Sequence, residues 1–227
     1  MSTAERPILA LIPAYEEAPR IGAVVEAARL YLPVVVVDDG STDRTSDRAR
    51  QAGATVIRQV PNAGKGAALR AGFRHALEAG APAVVTLDAD GQHDPAEIPM
   101  FLERFADRHA GLIIGQRDLG GMPPVRRLSN RIGGIALGLA LGRSVPDNQS
   151  GYRLIGRTLM RALLDSDEQG FEFEVEMIAR CLALGLPLDS VPIRTIYAGE
   201  PSHIRPWRHF TEFVRMTRKA RRIARGG

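Results

Sequence analysis

The stretch TLDADGQHDP, residues 86–95, places three carboxylates, Asp88, Asp90 and Asp94, directly after the apolar run AVV. Residues i and i+2 of an extended segment project to the same side, so Asp88 and Asp90 are expected to present their carboxylates together. At ~6 Å and an effective dielectric near ~20, two such charges repel by roughly 2–3 kcal/mol. A divalent cation converts that repulsion into binding. Carboxylates plus the Gln92 amide oxygen are hard donors suited to Mg²⁺ or Mn²⁺, and Mg²⁺ commonly completes its shell with water and phosphate oxygens. The expectation is a metal–diphosphate site with Asp88, Asp90 and Gln92 as the metal ligands. Asp94 before Pro95 reads more simply as a helix N-cap followed by a first helical position.

Such a site must be carried by elements that end at one edge. The first 117 residues alternate short apolar runs, ILALIPAY (8–15), VVVVDD (34–39), TVIRQ (55–59), AVVTLDAD (83–90) and GLIIGQR (111–117), with helical patterns of one crossover each. Runs without polar alternation are typical of strands covered on both faces, so the reading is an α/β fold with a mostly parallel sheet between helices. In such sheets ligands bind beyond the carboxyl ends of the strands. Two expected strands end there in acids, at Asp38–Asp39 and at Asp88–Asp90. Further on, a loop rich in Gly and Pro precedes an apolar helix over 126–142. NQSGYRLIG reads as a strand, 171–185 as a helix and 189–197 as a late strand.

The chain of 227 residues is long enough for one large domain, and 44% hydrophobic with 25% charged residues is ordinary globular composition. The single cysteine, Cys181, excludes an internal disulfide and a thiolate zinc cluster, which suits a reducing cytoplasm. No apolar stretch is long enough to span a bilayer. From residue 201 onward eight Arg/Lys face one acid, a net of +7 against −3 for the first 200 residues and +4 overall. An acidic body with a basic tail argues against a nucleic-acid groove, although the pI near 9.7 keeps a nucleic-acid-binding protein as the non-enzymatic alternative.

The loop NAGKGAALR (62–70) departs from a phosphate-binding P-loop, because Gly66 rather than Ser or Thr follows Lys65. No G-x-G-x-x-G follows the first strand. Nucleotide hydrolases and dinucleotide dehydrogenases are both disfavoured, yet Lys65 at a helix start remains suited to an anionic ligand.

PAYEE (13–17), VVVVDDGSTDRT (34–45), NAGKGAALRAGF (62–73), LDADGQHDP (87–95), GQR (115–117) and DNQSGYRL (147–154) follow one another in an order and spacing that resembles family 2 glycosyltransferases of the GT-A fold. The resemblance is to the branch of dolichol-phosphate mannose synthase and polyprenol-phosphate glycosyltransferases, and it covers roughly residues 8 to 200. It implies a GT-A domain over 1–200 and a basic loop with an amphipathic helix over 201–227. It also implies a nucleotide-sugar donor, UDP- or GDP-linked, with Pro13, Tyr15 and Glu17 at the nucleoside and Asp39 at the base or ribose. Lys65 would touch the nucleotide, Asp88 and Asp90 the metal and diphosphate, and Ala89 would contribute backbone. Arg117 would face the diphosphate or acceptor phosphate. Arg127, Ser129 and Arg131, then Asp147, Ser150 and Arg153, would lie on the acceptor side. His203 and Arg205 would belong to a loop over the donor.

Catalysis then falls to Asp90, Arg117 and Asp147. A departing diphosphate needs electrostatic stabilisation. A hydroxyl acceptor also needs a base, for which Asp147 is the candidate, whereas a phosphate acceptor is already anionic. The basic segment around 126–131 favours a polyprenyl phosphate; a soluble or lipid hydroxyl acceptor stays open. A sugar-1-phosphate nucleotidylyltransferase would want a glycine- and arginine-rich loop after the first strand, which PAYEEAPR is not. Arg126, Arg127 and Arg131 are equally well explained as a solvated helix face. Glu172, Glu174 and Glu176 read as a polar helix face, with Glu176 alone matching an acid of the family, and His93 and His75 read as structural. Residues 207–227 place Phe210, Phe213, Val214 and Thr217 on one helical stripe amid arginines, a pattern that suits the inner face of a plasma membrane or a helix packed on the body.

Overall fold

A computed structural model describes residues 6–117, 138–139, 141–142, 145, 147–170, 172–194, 219 and 222–223. Seven strands form one sheet in the order β3-β2-β1-β4-β6-β5-β7. They are β1 (Leu9–Ala14), β2 (Val34–Asp38), β3 (Thr55–Arg58), β4 (Ala83–Thr86), β5 (Leu112–Arg117), β6 (Arg153–Gly156) and β7 (Leu188–Ile193). The described helices are α1 (Ile21–Ala28), α2 (Thr45–Gln51), α3 (Lys65–Glu78), α4 (Ile98–Arg108), α5 (Arg157–Leu163) and α6 (Glu172–Ala183). The helix read over 126–142 lies largely outside the described residues.

Apolar side chains fill both faces of the sheet. Leu9, Leu11, Val35 and Val37 pack with Phe73 of α3, Leu159 of α5 and Phe173 of α6. Ala10, Ile12, Val34 and Val36 alternate with them and pack with Val25 of α1, Ala49 of α2 and Phe101 of α4. That two-sided burial is why VVVVD carries no polar alternation: all five residues of β2 are buried.

Strand direction then determines what meets. β1, β2, β3, β4, β5 and β7 run one way, while β6 pairs antiparallel with both β4 and β5. The amino end of β6 therefore arrives at the edge where β1, β2, β4 and β5 have their carboxyl ends. The strand itself is expected from NQSGYRLIG, but its reversed direction and α5 are not. A second correction concerns β4, which ends at Thr86. Asp88 and Asp90 consequently stand on a loop, so alternation along an extended strand is not what brings them together.

Candidate active site

The edge is assembled from short loops laced to one another. After β1, Glu16 adopts a left-handed φ of 56°. Its carboxylate accepts from the backbone N–H and the hydroxyl of Thr42, and its own N–H donates to Ser41 Oγ. The Glu17 N–H donates to Thr45 Oγ1. Pro13 is the penultimate residue of β1, and Tyr15 is half exposed beside this lacing. After β2, buried Asp38 accepts from the Ser41 N–H and Ser46 hydroxyl, fixing the turn into α2. Asp39 spends its carboxylate on Gln59 Nε2 and on the N–H groups of Ala63 and Gly64, at 2.7–2.9 Å. It thus holds the glycine loop that delivers Lys65.

That loop is pressed against residues 168–169 from the far side. Gly66 N–H donates to the Gln169 carbonyl at 2.7 Å. A Cβ on Gly66 would stand 2.5 Å from the Glu168 carbonyl oxygen, which explains why no hydroxyl-bearing residue follows Lys65 here. Lys65 opens α3, and its Nζ lies 2.6 Å from Asp88 Oδ1 and 2.8 Å from Glu174 Oε1. Burial would depress the ammonium, but the two carboxylates outweigh it and push Lys65 above the ordinary lysine range. For Asp88, burial opposes ionisation, yet Lys65, with Arg117 a smaller contribution, holds its carboxyl down at about 2.

The acidic loop has its own frame. The Asp88 N–H donates to His93 Nδ1 at 3.0 Å, so that nitrogen is an acceptor. Burial lowers the pKa of His93 despite the Asp88 carboxylate, in keeping with a neutral ring. The imidazole packs on Tyr152 with centroids 4.9 Å apart, and the Tyr152 hydroxyl donates to the Asp94 carbonyl. Asp90 accepts from the Gln92 N–H, and Gly91 takes a left-handed φ of 77° to make that turn. Ala89 is buried between them. Asp94 caps the following 3₁₀ turn through the Ala96 N–H.

From β5 and the approach to β6 come the remaining groups. Arg117 meets Asp147 in a bidentate pair, Nε–Oδ2 2.5 Å and Nη2–Oδ1 2.8 Å. Gly151 lies against Asp88, where a Cβ would stand 2.6 Å from Oδ2. Arg153 requires a correction. It is only 1% exposed and donates to the carbonyls of Ser150, Glu174 and Asn148. This guanidinium fixes the 148–150 turn and the start of α6, and presents no donor to an acceptor. Ser150 is buried, its hydroxyl without a partner among the described residues. Arg127, Ser129, Arg131, His203 and Arg205 lie outside the described residues.

The structure therefore brings Lys65, Asp88, Asp90, Arg117 and Asp147 to one edge and adds Glu174, which the sequence reads only as part of a polar helix face. The donor set suits a divalent cation that arrives with a diphosphate. Among the described residues no cluster of three His, Cys, Asp or Glu forms a closed metal cage. Two loop carboxylates match an ion that keeps most of its shell for water and phosphate.

An open sheet with one reversed strand and an acidic loop beyond its central strand defines a GT-A glycosyltransferase. The chain belongs to glycosyl transferase family 2, whose model matches residues 10–164. It is 35% identical over 201 residues to undecaprenyl-phosphate mannosyltransferase of Micrococcus luteus, covering 82% of each chain. It is 31% identical over 201 residues to polyprenol monophosphomannose synthase of Mycolicibacterium smegmatis, covering 82% of this chain and 76% of that one. Among solved structures, glucosyl-3-phosphoglycerate synthase of Mycobacterium tuberculosis with Mn²⁺, UDP and phosphoglyceric acid superposes with a TM-score of 0.70. There the identity is 22%, and the match covers 97% of this chain and 78% of that one.

Proposed function

We propose that this family 2 glycosyltransferase moves a sugar from a UDP- or GDP-linked donor to a polyprenyl phosphate, with Mg²⁺ or Mn²⁺ at the diphosphate. The observation that carries the reading is the convergence of Asp88, Asp90, Lys65 and the Arg117–Asp147 pair at one sheet edge, in a chain whose relatives are named for polyprenyl-phosphate acceptors. Asp88, Asp90 and Gln92 would hold the cation, which supplies Lewis-acid stabilisation of the departing diphosphate. Pro13, Tyr15, Glu17 and Asp39 would flank the nucleoside, and Ala89 would offer its backbone. Lys65 and Arg117 add positive charge where negative charge develops.

Asp147 is the point at which the acceptor class matters. Its two oxygens are engaged by Arg117, and its side chain is only 7% exposed. That geometry orients an arginine toward an anion. It favours an acceptor that needs no deprotonation. Arg127, Ser129, Arg131, Ser150 and Arg205 complete the proposed acceptor and donor contacts.

No helix among the described residues is long and apolar enough to cross a membrane. In the tail, Lys219 pairs with Glu168 and Glu176, and Ile223 packs on the core. Lys219 and Ile223 thus face the body, and the basic residues of 207–227 that lie outside the described residues are a proposed contact with an anionic membrane surface. Loss of sedimentation with acidic vesicles after removal of 207–227 would support that contact, and retention would end it.

The direct experiment incubates labelled UDP- and GDP-sugars with undecaprenyl phosphate or undecaprenol in detergent. The expected product is a lipid-linked sugar from the phosphate alone. A product from the alcohol alone would replace the phosphate reading with the hydroxyl one.

A further inference from the structure

Lys65 sits where an isolated lysine is poorly placed. It is the first residue of α3, behind Gly64, and faces the positive end of the helix dipole. Its side chain is 37% exposed, enough to swing into water. It is instead held between two carboxylates from distant parts of the chain, Asp88 on the loop after β4 and Glu174 on α6.

The two partners differ in kind. Asp88 is 28% exposed and belongs to the acidic loop that the proposed function assigns to the donor. Glu174 is 5% exposed. It lies in the first turn of α6, where the helix dipole favours an acid, and its backbone carbonyl is held by the buried guanidinium of Arg153. Among the described residues, the Lys65 ammonium is the side-chain partner of the Glu174 carboxylate. Leaving a buried carboxylate unpaired is far costlier than leaving an accessible one unpaired. When charge at the acidic loop is rearranged by a donor, the Lys65–Glu174 contact is the one that resists breaking.

We infer that Glu174 is a positioning residue: it tethers Lys65 at the site so that Asp88 can exchange the ammonium for the donor while the lysine charge stays beside the diphosphate. Lys65 thus has one fixed partner and one exchangeable partner. Without Glu174 the lysine would concentrate on Asp88 and compete with the donor for the same oxygen. The inference rests on the nucleotide-sugar reading of the site.

The test is a double-mutant cycle. UDP and GDP binding with Mn²⁺ is measured by calorimetry, and Mn²⁺ alone by electron paramagnetic resonance, for wild type, Lys65→Gln, Glu174→Gln and the double variant. Thermal melting verifies that each is folded. Each single change is expected to weaken nucleotide binding by about tenfold or more, the size of one lost charged hydrogen bond. The double variant should bind no more weakly than Lys65→Gln. Glu174→Asp, which keeps the charge, should recover part of the loss. Additive losses in the double variant, or wild-type affinity in Glu174→Gln, would overturn the tether. If wild type binds neither nucleotide, the proposed function fails by itself and Mn²⁺ alone decides the inference. Lys65→Gln should then tighten Mn²⁺ and Glu174→Gln weaken it, whereas equal affinities in all four proteins would refute it.

Discussion

Lys65 Nζ stands 2.6 Å from Asp88 Oδ1, joining the first residue of α3 to the loop beyond β4. The contact neutralises part of the acidic loop, so that under the proposed function donor binding at this edge would be an exchange of cations. The surrounding sequence serves that contact. Asp39 fixes the loop before Lys65, His93 fixes the loop that carries Asp88, and Gly151 leaves room for the carboxylate.

Gly151 yields the simplest prediction. A Cβ there would stand 2.6 and 2.9 Å from the two Asp88 oxygens, and a carboxylate end can move aside. Gly151→Ala should therefore fold, with a melting temperature within a few degrees of wild type, but displace Asp88. Nucleotide affinity with Mn²⁺ should fall roughly tenfold, about 1.4 kcal/mol. Calorimetry showing wild-type affinity would mean that the position of Asp88 does not matter to the donor.

The Arg117–Asp147 pair separates two chemistries. If Asp147 orients Arg117, Asp147→Asn should raise the acceptor KM and lower kcat by less than about tenfold. Loss of a general base would instead lower kcat by about 10²–10⁴. Steady-state kinetics with the acceptor varied distinguishes them, and the larger loss would favour a hydroxyl acceptor.

Glu176 gives a stability prediction with a definite sign. Burial opposes its ionisation, but hydrogen bonds from Lys219 and Arg180 outweigh this and hold its carboxyl below the ordinary glutamate range. A depressed folded-state pKa contributes stability above the unfolded glutamate value of about 4.3 and loses it as pH falls through the folded value. Glu176→Gln should lower the melting temperature at neutral pH, and the gap should close below about pH 4. A gap independent of pH would show that the charge pairing contributes nothing.

Much of this fold is legible as sequence because VVVV, ALI and LII carry no polar alternation, and only strands covered on both faces tolerate that. The end of β4 is less legible. AVVTLDAD continues the apolar run through Leu87, whose N–H still bonds to Leu11, but the turn at Ala89–Asp90 and the left-handed Gly91 end the extension. β6 is four residues long and runs directly into α5 at Gly156–Arg157 without a turn signal between them. Its direction comes from pairing with β4 and β5, which no local pattern records.

Glu174 was concealed by its neighbours. Positions 172, 174 and 176 alternate like one polar face, but at 100° per residue Glu174 lies about 200° from Glu172, on the other side of the helix. Phe173 and Val175 between the acids and Met177 after them, all buried, were the available sign that α6 has little dry-to-wet asymmetry. The family resemblance places Arg153 on the acceptor side, and only the three carbonyls around it reveal an inward role.

The central claim is that the acidic loop binds a nucleotide diphosphate through a divalent cation. Calorimetric titration of wild type and Asp90→Ala with UDP and GDP, each with Mn²⁺ and with EDTA, tests it most directly. The account predicts nucleotide binding by wild type that requires Mn²⁺, and its loss by at least about a hundredfold in a folded Asp90→Ala variant. Equal affinity in the two proteins, or binding indifferent to EDTA, would contradict it.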